Sequence, residues 1–170
     1  MAGGLRYESL ADMPEGMRIR VAGRIIPTKA LPSADAVSKA SKYGNKKTVV
    51  NGIAFDSQKE ANRYLALMDA LREGVIEDLR LQQEFTLQEA YTTPDGQRFQ
   101  AIRYKADFTY TVAWRGEYFP TGISFEDMRY WQSRAGQRVI EDVKTAATRT
   151  RVYINKYKMM ADKGHIIREV

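Results

Sequence analysis

Ile102-Arg103-Tyr104-Lys105-Ala106-Asp107-Phe108-Thr109-Tyr110-Thr111-Val112 alternates apolar and polar residues without a break. Successive side chains of an extended chain point to opposite faces. The stretch therefore predicts a strand with Tyr104, Ala106, Phe108, Tyr110 and Val112 on one face and Lys105, Asp107, Thr109 and Thr111 on the other. Upstream, Leu79, Leu81, Gln83, Phe85 and Leu87 alternate in the same way, and residues 138–144 predict a third strand. Pro94-Asp95-Gly96 marks a turn between the first two.

Helices bracket these strands. Ser57-Gln58-Lys59-Glu60 matches a capping box, followed by an apolar stripe of Ala61, Tyr64, Leu65, Met68 and Leu71, with Gly74 as a stop. Residues 150–162 predict a second helix with Tyr153, Ile154, Tyr157 and Met160 inward, and residues 166–170 a closing strand. Asn51-Gly52 predicts a hairpin turn ahead of the first helix, because both residues tolerate positive φ. The order αβββαβ implies an α/β fold with a mixed sheet flanked by helices. Residues 113–137 stand outside that order as an aromatic insertion before the third core strand, holding Trp114, Tyr118, Phe119, Phe125, Tyr130 and Trp131.

A chain of 170 residues suffices for one ordinary domain. Residues 48–170 are expected to form it. Residues 1–47 are expected to be a basic arm or linker, mobile where Pro, Ser, Ala and Lys dominate from residue 24 onward, with a short helical turn or strand before that. No apolar run approaches a membrane span, and Met1-Ala2-Gly3-Gly4-Leu5-Arg6 lacks the apolar stretch of a signal peptide. The absence of cysteine fits a reducing, cytoplasmic setting and removes thiolate zinc sites. With His165 the only histidine, a catalytic metal would have to be held by oxygen, which favours Mg²⁺ or Mn²⁺.

The net charge of +6 suggests a polyanionic partner. The charge is also unevenly spread. Residues 18–47 carry only Asp35 among many basic residues, residues 144–163 only Asp162, and the acids gather between. Within that centre, Glu60, Asp107 and the Asp142-Val143-Lys144 run follow the order Glu…Asp…Asp-x-Lys. Asp142 and Lys144 share a strand face roughly 6–7 Å apart along the backbone, whereas Glu141 points the other way. Aspartate is depleted in strands, so Asp107 in mid-strand is notable. Glu60 shares a helical face with Tyr64, Leu67 and Leu71 and tilts toward the core, where an unpaired carboxylate is costly. Each residue also has a plain structural reading: Glu60 as a cap, Asp107 on a half-exposed sheet, Asp142 and Lys144 as a surface pair.

The order of elements, with Glu on the first helix, Asp in the second strand and Asp-x-Lys in the third, resembles the PD-(D/E)XK nuclease superfamily. Lys42-Tyr43-Gly44-Asn45-Lys46-Lys47, Phe55-Asp56-Ser57-Gln58-Lys59-Glu60-Ala61, Leu81-Gln82, Ala106-Asp107-Phe108 and Glu141-Asp142-Val143-Lys144 resemble an uncharacterised family of small phage and prophage proteins assigned to it. The chain is also similar to phage endonuclease I-type junction resolvases and TnsA-type transposon endonucleases. The superfamily's proline before the aspartate is Ala106 here, and residues 113–137 exceed the usual connection.

The resemblance implies a restriction-endonuclease-like core and a metal-dependent DNA endonuclease of a phage replication or recombination module. It implies that Asp107, Asp142 and the Val143 carbonyl ligate Mg²⁺ or Mn²⁺, that Glu60 completes or water-bridges the site, and that Lys144 orients the nucleophilic water. Lys42, Lys46, Lys105, Arg149, Arg151 and Lys156 are the candidates for DNA-backbone contacts. A catalytically idle DNA-binding relative and a protein-interaction module built on the aromatic insertion are the alternatives. Interface cores favour Tyr, Trp, Phe, Met and Arg, so that insertion is expected to serve a homodimer acting on branched DNA, to extend the domain core, or to stack on unpaired bases.

Overall fold

The computed structural model describes Arg20–Val21, Arg24–Ile25 and residues 47–170. Most of the expected arm, with Lys42 and Lys46, lies outside the described residues. The two short N-terminal pieces are strands, β1 (Arg20–Val21) and β2 (Arg24–Ile25). A hairpin follows, β3 (Thr48–Val50) and β4 (Ile53–Phe55), closed by Asn51 at φ 50° and Gly52 at φ 73°. Two consecutive left-handed residues are what a tight hairpin turn demands.

Helix α1 (Gln58–Arg72) starts at Ser57, whose Oγ accepts from Glu60 N–H, and the chain leaves it through Gly74 at φ +69°. The long strands β5 (Ile76–Gln88) and β8 (Ile102–Val112) pair antiparallel, joined through the small hairpin β6 (Tyr91–Thr92) and β7 (Arg98–Phe99). The remaining elements are α2 (Phe125–Trp131), β9 (Arg138–Asp142), α3 (Arg151–Asp162) and β10 (Ile167–Glu169). Six strands make one mixed sheet in the order β10-β9-β8-β5-β1-β2, with β10 parallel to β9 and β1 parallel to β5. The fold is therefore α/β, a mixed sheet flanked by helices.

Two apolar clusters fill the two faces. One gathers α1 (Ala61, Tyr64, Leu67, Leu71) against Leu79, Leu81, Phe108, Tyr110 and Val112. The other gathers Tyr153 and Met160 of α3 against Leu87, Tyr104, Ala106 and Ile140. The even-numbered residues of β8 were expected on one face, yet Tyr104 and Ala106 join the α3 cluster while Phe108, Tyr110 and Val112 join the α1 cluster. The odd residues of β5 divide at the same place, Leu79 and Leu81 to one side and Leu87 with Phe85 to the other. The cause lies between them. Leu81 pairs with Phe108 and Gln83 with Ala106, so Gln82, at φ 54°, stands opposite Asp107. A left-handed residue breaks the alternation of a strand, and the paired strands turn over there.

Local periodicity also misplaced two side chains. Leu65 of α1 and Ile154 of α3 are exposed, while Leu67, on the face that Glu60 shares, is buried. The insertion contains a helix that the aromatic count did not predict. Its start was legible in Ser124-Phe125-Glu126-Asp127: Ser124 Oγ accepts from Asp127 N–H at 3.1 Å and donates to Asp127 Oδ2 at 2.8 Å.

α2 is tied in by a buried charge cluster. Arg63 of α1 donates to Asp127 Oδ2 at 2.7 Å and Oδ1 at 2.8 Å, and to both oxygens of Glu141. Arg168 of β10 meets Asp127 at 2.7 Å and Glu141 at 3.4 Å. Tyr110 donates to Glu141 Oε2 at 2.6 Å, and Trp131 Nε1 donates to Tyr110 Oη at 3.1 Å. Burial pushes the Asp127 carboxyl up, but the Arg63 guanidinium outweighs it and holds the group below the usual carboxylate range. Removing one member of such a cluster strands its partners' charges, so Arg63→Met is expected to lower stability by about 3–5 kcal/mol. Urea unfolding measures this directly. A loss below about 1 kcal/mol, the range of an exposed ion pair, would show the cluster to be structurally dispensable.

Candidate functional site

β8 and β9 are hydrogen-bonded as far as the Phe108–Glu141 pair and separate beyond it. Asp107 and Asp142 sit at that separation. With the ladder interrupted, the Asp107 side chain takes over: its Oδ2 accepts from Val143 N–H at 2.8 Å. Beyond Asp142 the chain is held on its other side by β10, through Lys144 N–H to Val170 O at 2.9 Å and Val170 N–H to Asp142 O at 3.1 Å. Lys59 of α1 clasps the same segment, its Nζ donating to Lys144 O at 2.7 Å and Val170 O at 2.8 Å.

These bonds place Lys144 Nζ 2.9 Å from Asp142 Oδ2 and 3.9 Å from Asp107 Oδ2. The ammonium also stands 4.9 Å from the Tyr153 ring centroid. Tyr104 donates to Asp142 Oδ2 at 2.5 Å, and burial, then this hydrogen bond, push its hydroxyl well above the usual range, so it stays a donor. All of Asp142's partners fall on Oδ2. Oδ1 is buried without a hydrogen-bond partner. Such an orphan is rare, because burying a carboxylate oxygen unpaired is costly.

Asp107 faces the same difficulty. Burial, then the charge of Asp142 and a hydrogen bond with it, raise the Asp107 carboxyl to about 8, against the pull of Val143 N–H and Lys144. An oxygen-binding divalent cation would relieve both the orphaned oxygen and the repulsion, so this donor set fits Mg²⁺ or Mn²⁺.

Glu60 stands at the edge of this pair. Its Oε1 accepts from Ser57 Oγ at 3.0 Å, which ties it to the residue that opens the helix. It also lines, with Asp107, Gln82, Phe55 and Ile53, a cavity of about 20 Å³, room for roughly one water. Among the described residues no three acidic side chains converge as a ready ligand group; Asp107 and Asp142 interact, and Glu60 shares the cavity with Asp107 alone. Glu141 is excluded from the site, its carboxylate taken up by Arg63, Arg168 and Tyr110.

Of the expected backbone contacts, Lys105 and Arg151 are exposed and Lys156 is half-buried, while Arg149 is paired with Glu169 Oε2 at 3.2 Å. Tyr104 and Gln82 were not foreseen as site residues. Tyr104 read as a core position of an alternating strand, and nothing in a single sequence marks a left-handed glutamine. The aromatic insertion divides: Trp114 and Trp131 are buried, Tyr130 packs between elements, and Phe119 and Phe125 are 87% and 76% exposed.

Residues 40–118 match a family described as Protein of unknown function (DUF1064). That span carries Glu60, Gln82 and Asp107 and ends before Asp142 and Lys144. No curated protein and no solved structure matches the chain. No described helix is long and apolar enough to cross a membrane.

A carboxyl raised from 3.8 to about 8 in the folded state favours folding while protonated, so its stabilisation is complete below its unfolded value and is lost as pH rises through 8. The melting temperature of the protein in EDTA is therefore expected to fall between pH 6 and 8 and level off above. Asp107→Asn should remove that slope. A wild-type slope of zero or of opposite sign across this window would contradict the pairing of the two carboxyls.

Proposed function

We propose that the protein is a metal-dependent nuclease that hydrolyses phosphodiester bonds in DNA, with Asp107, Asp142 and Lys144 at its centre. The observation that carries this reading is the orphaned Asp142 Oδ1 in a carboxylate pair with Asp107, both within reach of one lysine. A purely structural ion pair would have no reason to leave a buried carboxylate oxygen bare. The order Glu60…Asp107…Asp142-x-Lys144 and its resemblance to PD-(D/E)XK nucleases point the same way.

Asp142 Oδ1, an oxygen of Asp107 and the Val143 carbonyl would hold the cation, with Glu60 acting directly or through water. When bound, a divalent cation lowers the pKa of a water and offsets charge on the phosphate. Tyr104 fixes the Asp142 carboxylate by engaging Oδ2, which leaves Oδ1 as its free ligand atom. Lys144, a compact point charge anchored through the β10 ladder and Lys59, would orient the attacking water and counter the charge that develops on the phosphate. Lys105 and Arg151 are exposed cations suited to the flanking phosphates, as Lys42, Lys46 and Lys156 would be. Cutting both strands, or a branch symmetrically, takes two such sites. A homodimer would supply them, with exposed Phe119 and Phe125 as the apolar surface.

Mg²⁺ or Mn²⁺ should support cleavage in a panel of linear, nicked, flapped and four-way DNA, with Ca²⁺ binding but turning over poorly. Asp142→Asn and Lys144→Met should each reduce the rate by about 10²–10³-fold or more with the melting temperature preserved. Undiminished cleavage in excess EDTA would sink the proposal. Glu60→Gln keeps the cap, so a wild-type rate in that variant would assign Glu60 to the helix end alone. Sedimentation velocity should show a dimer that Phe119→Ser with Phe125→Ser dissociates; a wild-type monomer would remove the two-site arrangement while leaving single-strand nicking intact.

A further inference from the structure

A second cavity, of about 370 Å³, opens at the opposite end of β9, where Arg138, Val139 and Ile140 form its floor with Phe85 of β5 and the turn that carries His165. Its size lies within the range of small-ligand sites. Three aromatic groups line it: Phe85 and His165, whose ring centroids are 5.2 Å apart, and Tyr130 of α2. Two arginines, Arg134 and Arg138, complete the wall.

These arginines are held ready without being neutralised. Arg138 donates to neutral acceptors, Gln83 Oε1 at 2.6 Å and Thr109 Oγ1 at 3.1 Å. Arg134 donates to the Tyr130 carbonyl at 2.7 Å and to Ser133 Oγ at 3.2 Å, and its guanidinium lies 4.0 Å from the Tyr130 ring centroid. Neither meets a carboxylate among the described residues, in contrast to Arg63 and Arg168. Burial and the charge of Arg80 push the Arg138 guanidinium below its usual range, against the opposing charge of Asp78. Tyr130 is fixed from its own side by Arg168, 4.0 Å from the ring centroid.

Planar rings offer stacking surfaces, and guanidinium groups without acid partners offer phosphate ligands; together they match one chemical class. We infer that this cavity binds an unpaired nucleotide of a nucleic-acid strand, its base against the Phe85 and His165 rings and its phosphate on Arg134, which Tyr130 holds in place, and Arg138. The position suits a strand that continues to the carboxylates. Arg138 and Asp142 are the first and last residues of β9, about 13 Å apart at roughly 3.3 Å per residue. Even a stacked strand advances about 3.4 Å per nucleotide, so only a few nucleotides separate the two sites. The inference deepens the nuclease reading by making single-stranded or frayed DNA the substrate class, and its meaning for cleavage rests on that reading. Binding itself is independent of metal and turnover.

The single histidine makes the test direct. The imidazole Cε1–H resonance of His165 in the full-length protein, in EDTA, reports on this cavity alone. A thymidine hexanucleotide should move it by a ring-current shift that saturates, whereas inorganic phosphate at the same concentration should not reproduce the end point. Fluorescence anisotropy with the labelled hexanucleotide should show about tenfold or more weaker binding for Arg134→Ala with Arg138→Ala, which removes both phosphate ligands. Blunt duplex of equal length should bind the variant as it binds wild type. An unmoved His165 signal, the same end point with phosphate alone, or an equal loss for duplex would each overturn the inference. None of these outcomes depends on cleavage, so a failed nuclease assay with a shifted His165 signal would leave a nucleotide-binding protein.

Discussion

Arg63 is the hinge of this structure. Its guanidinium leaves α1, crosses into the core and binds Glu141 of β9 and Asp127 of α2 together. Arg168 repeats the pairing from β10. Two cations and two anions, closed by Tyr110 and Trp131, thus join a helix, two edge-side strands and the insertion through one nearly water-free point. Ion pairs of this kind add less to stability than their Coulomb energy suggests, because desolvation offsets most of it. What they impose is register. Sliding β9 by one residue would point Glu141 away from both arginines and Asp142 into the α1 core, so the cluster selects the one register that presents Asp142 on the far face.

The site follows from a local failure of the sheet. Up to Phe108 and Glu141 the strands are laddered; past that pair, β8 has turned over opposite the left-handed Gln82 and β9 has moved to β10. The gap leaves backbone groups without their ladder partners, and side chains take their places, Asp107 on Val143 N–H and Lys59 on the Lys144 and Val170 carbonyls. Carboxylates in a continuous sheet would be solvated on one face or buried beyond tolerance. At a divergence they are buried on one side and open on the other, and the charge of Asp142 adds to burial in raising the Asp107 carboxyl. The bare Asp142 Oδ1 is the local signature of that arrangement.

The two cavities lie on different elements. Glu60, Gln82 and Asp107 of α1, β5 and β8 line the small one, and Arg138 opens the larger one at the N-terminal end of β9.

Much of the fold was legible in the chain because the signals involved are local. Ser57 and Glu60 mark the start of α1, Asn51-Gly52 the hairpin, and the Ile102–Val112 alternation β8, each through contacts a few residues long. The positions of Asp107, Asp142 and Lys144 were likewise readable in order and type, and the absence of cysteine leaves only oxygen or the single histidine to hold the proposed cation. Periodicity, however, fixes the phase of a side chain only relative to its neighbours. It could not show that β8 changes faces at Asp107, that Leu65 stays outside the core, or that Glu141 is taken up by Arg63 and Arg168 while its neighbour Asp142 keeps an oxygen free. Those outcomes depend on which helix covers which face and on charges brought together from residues 63, 127, 141 and 168. The same holds for the aromatic and basic cavity, whose walls come from β5, α2, β9 and the turn before β10. Burial and pairing are properties of the packed chain, and only the tertiary structure could decide them.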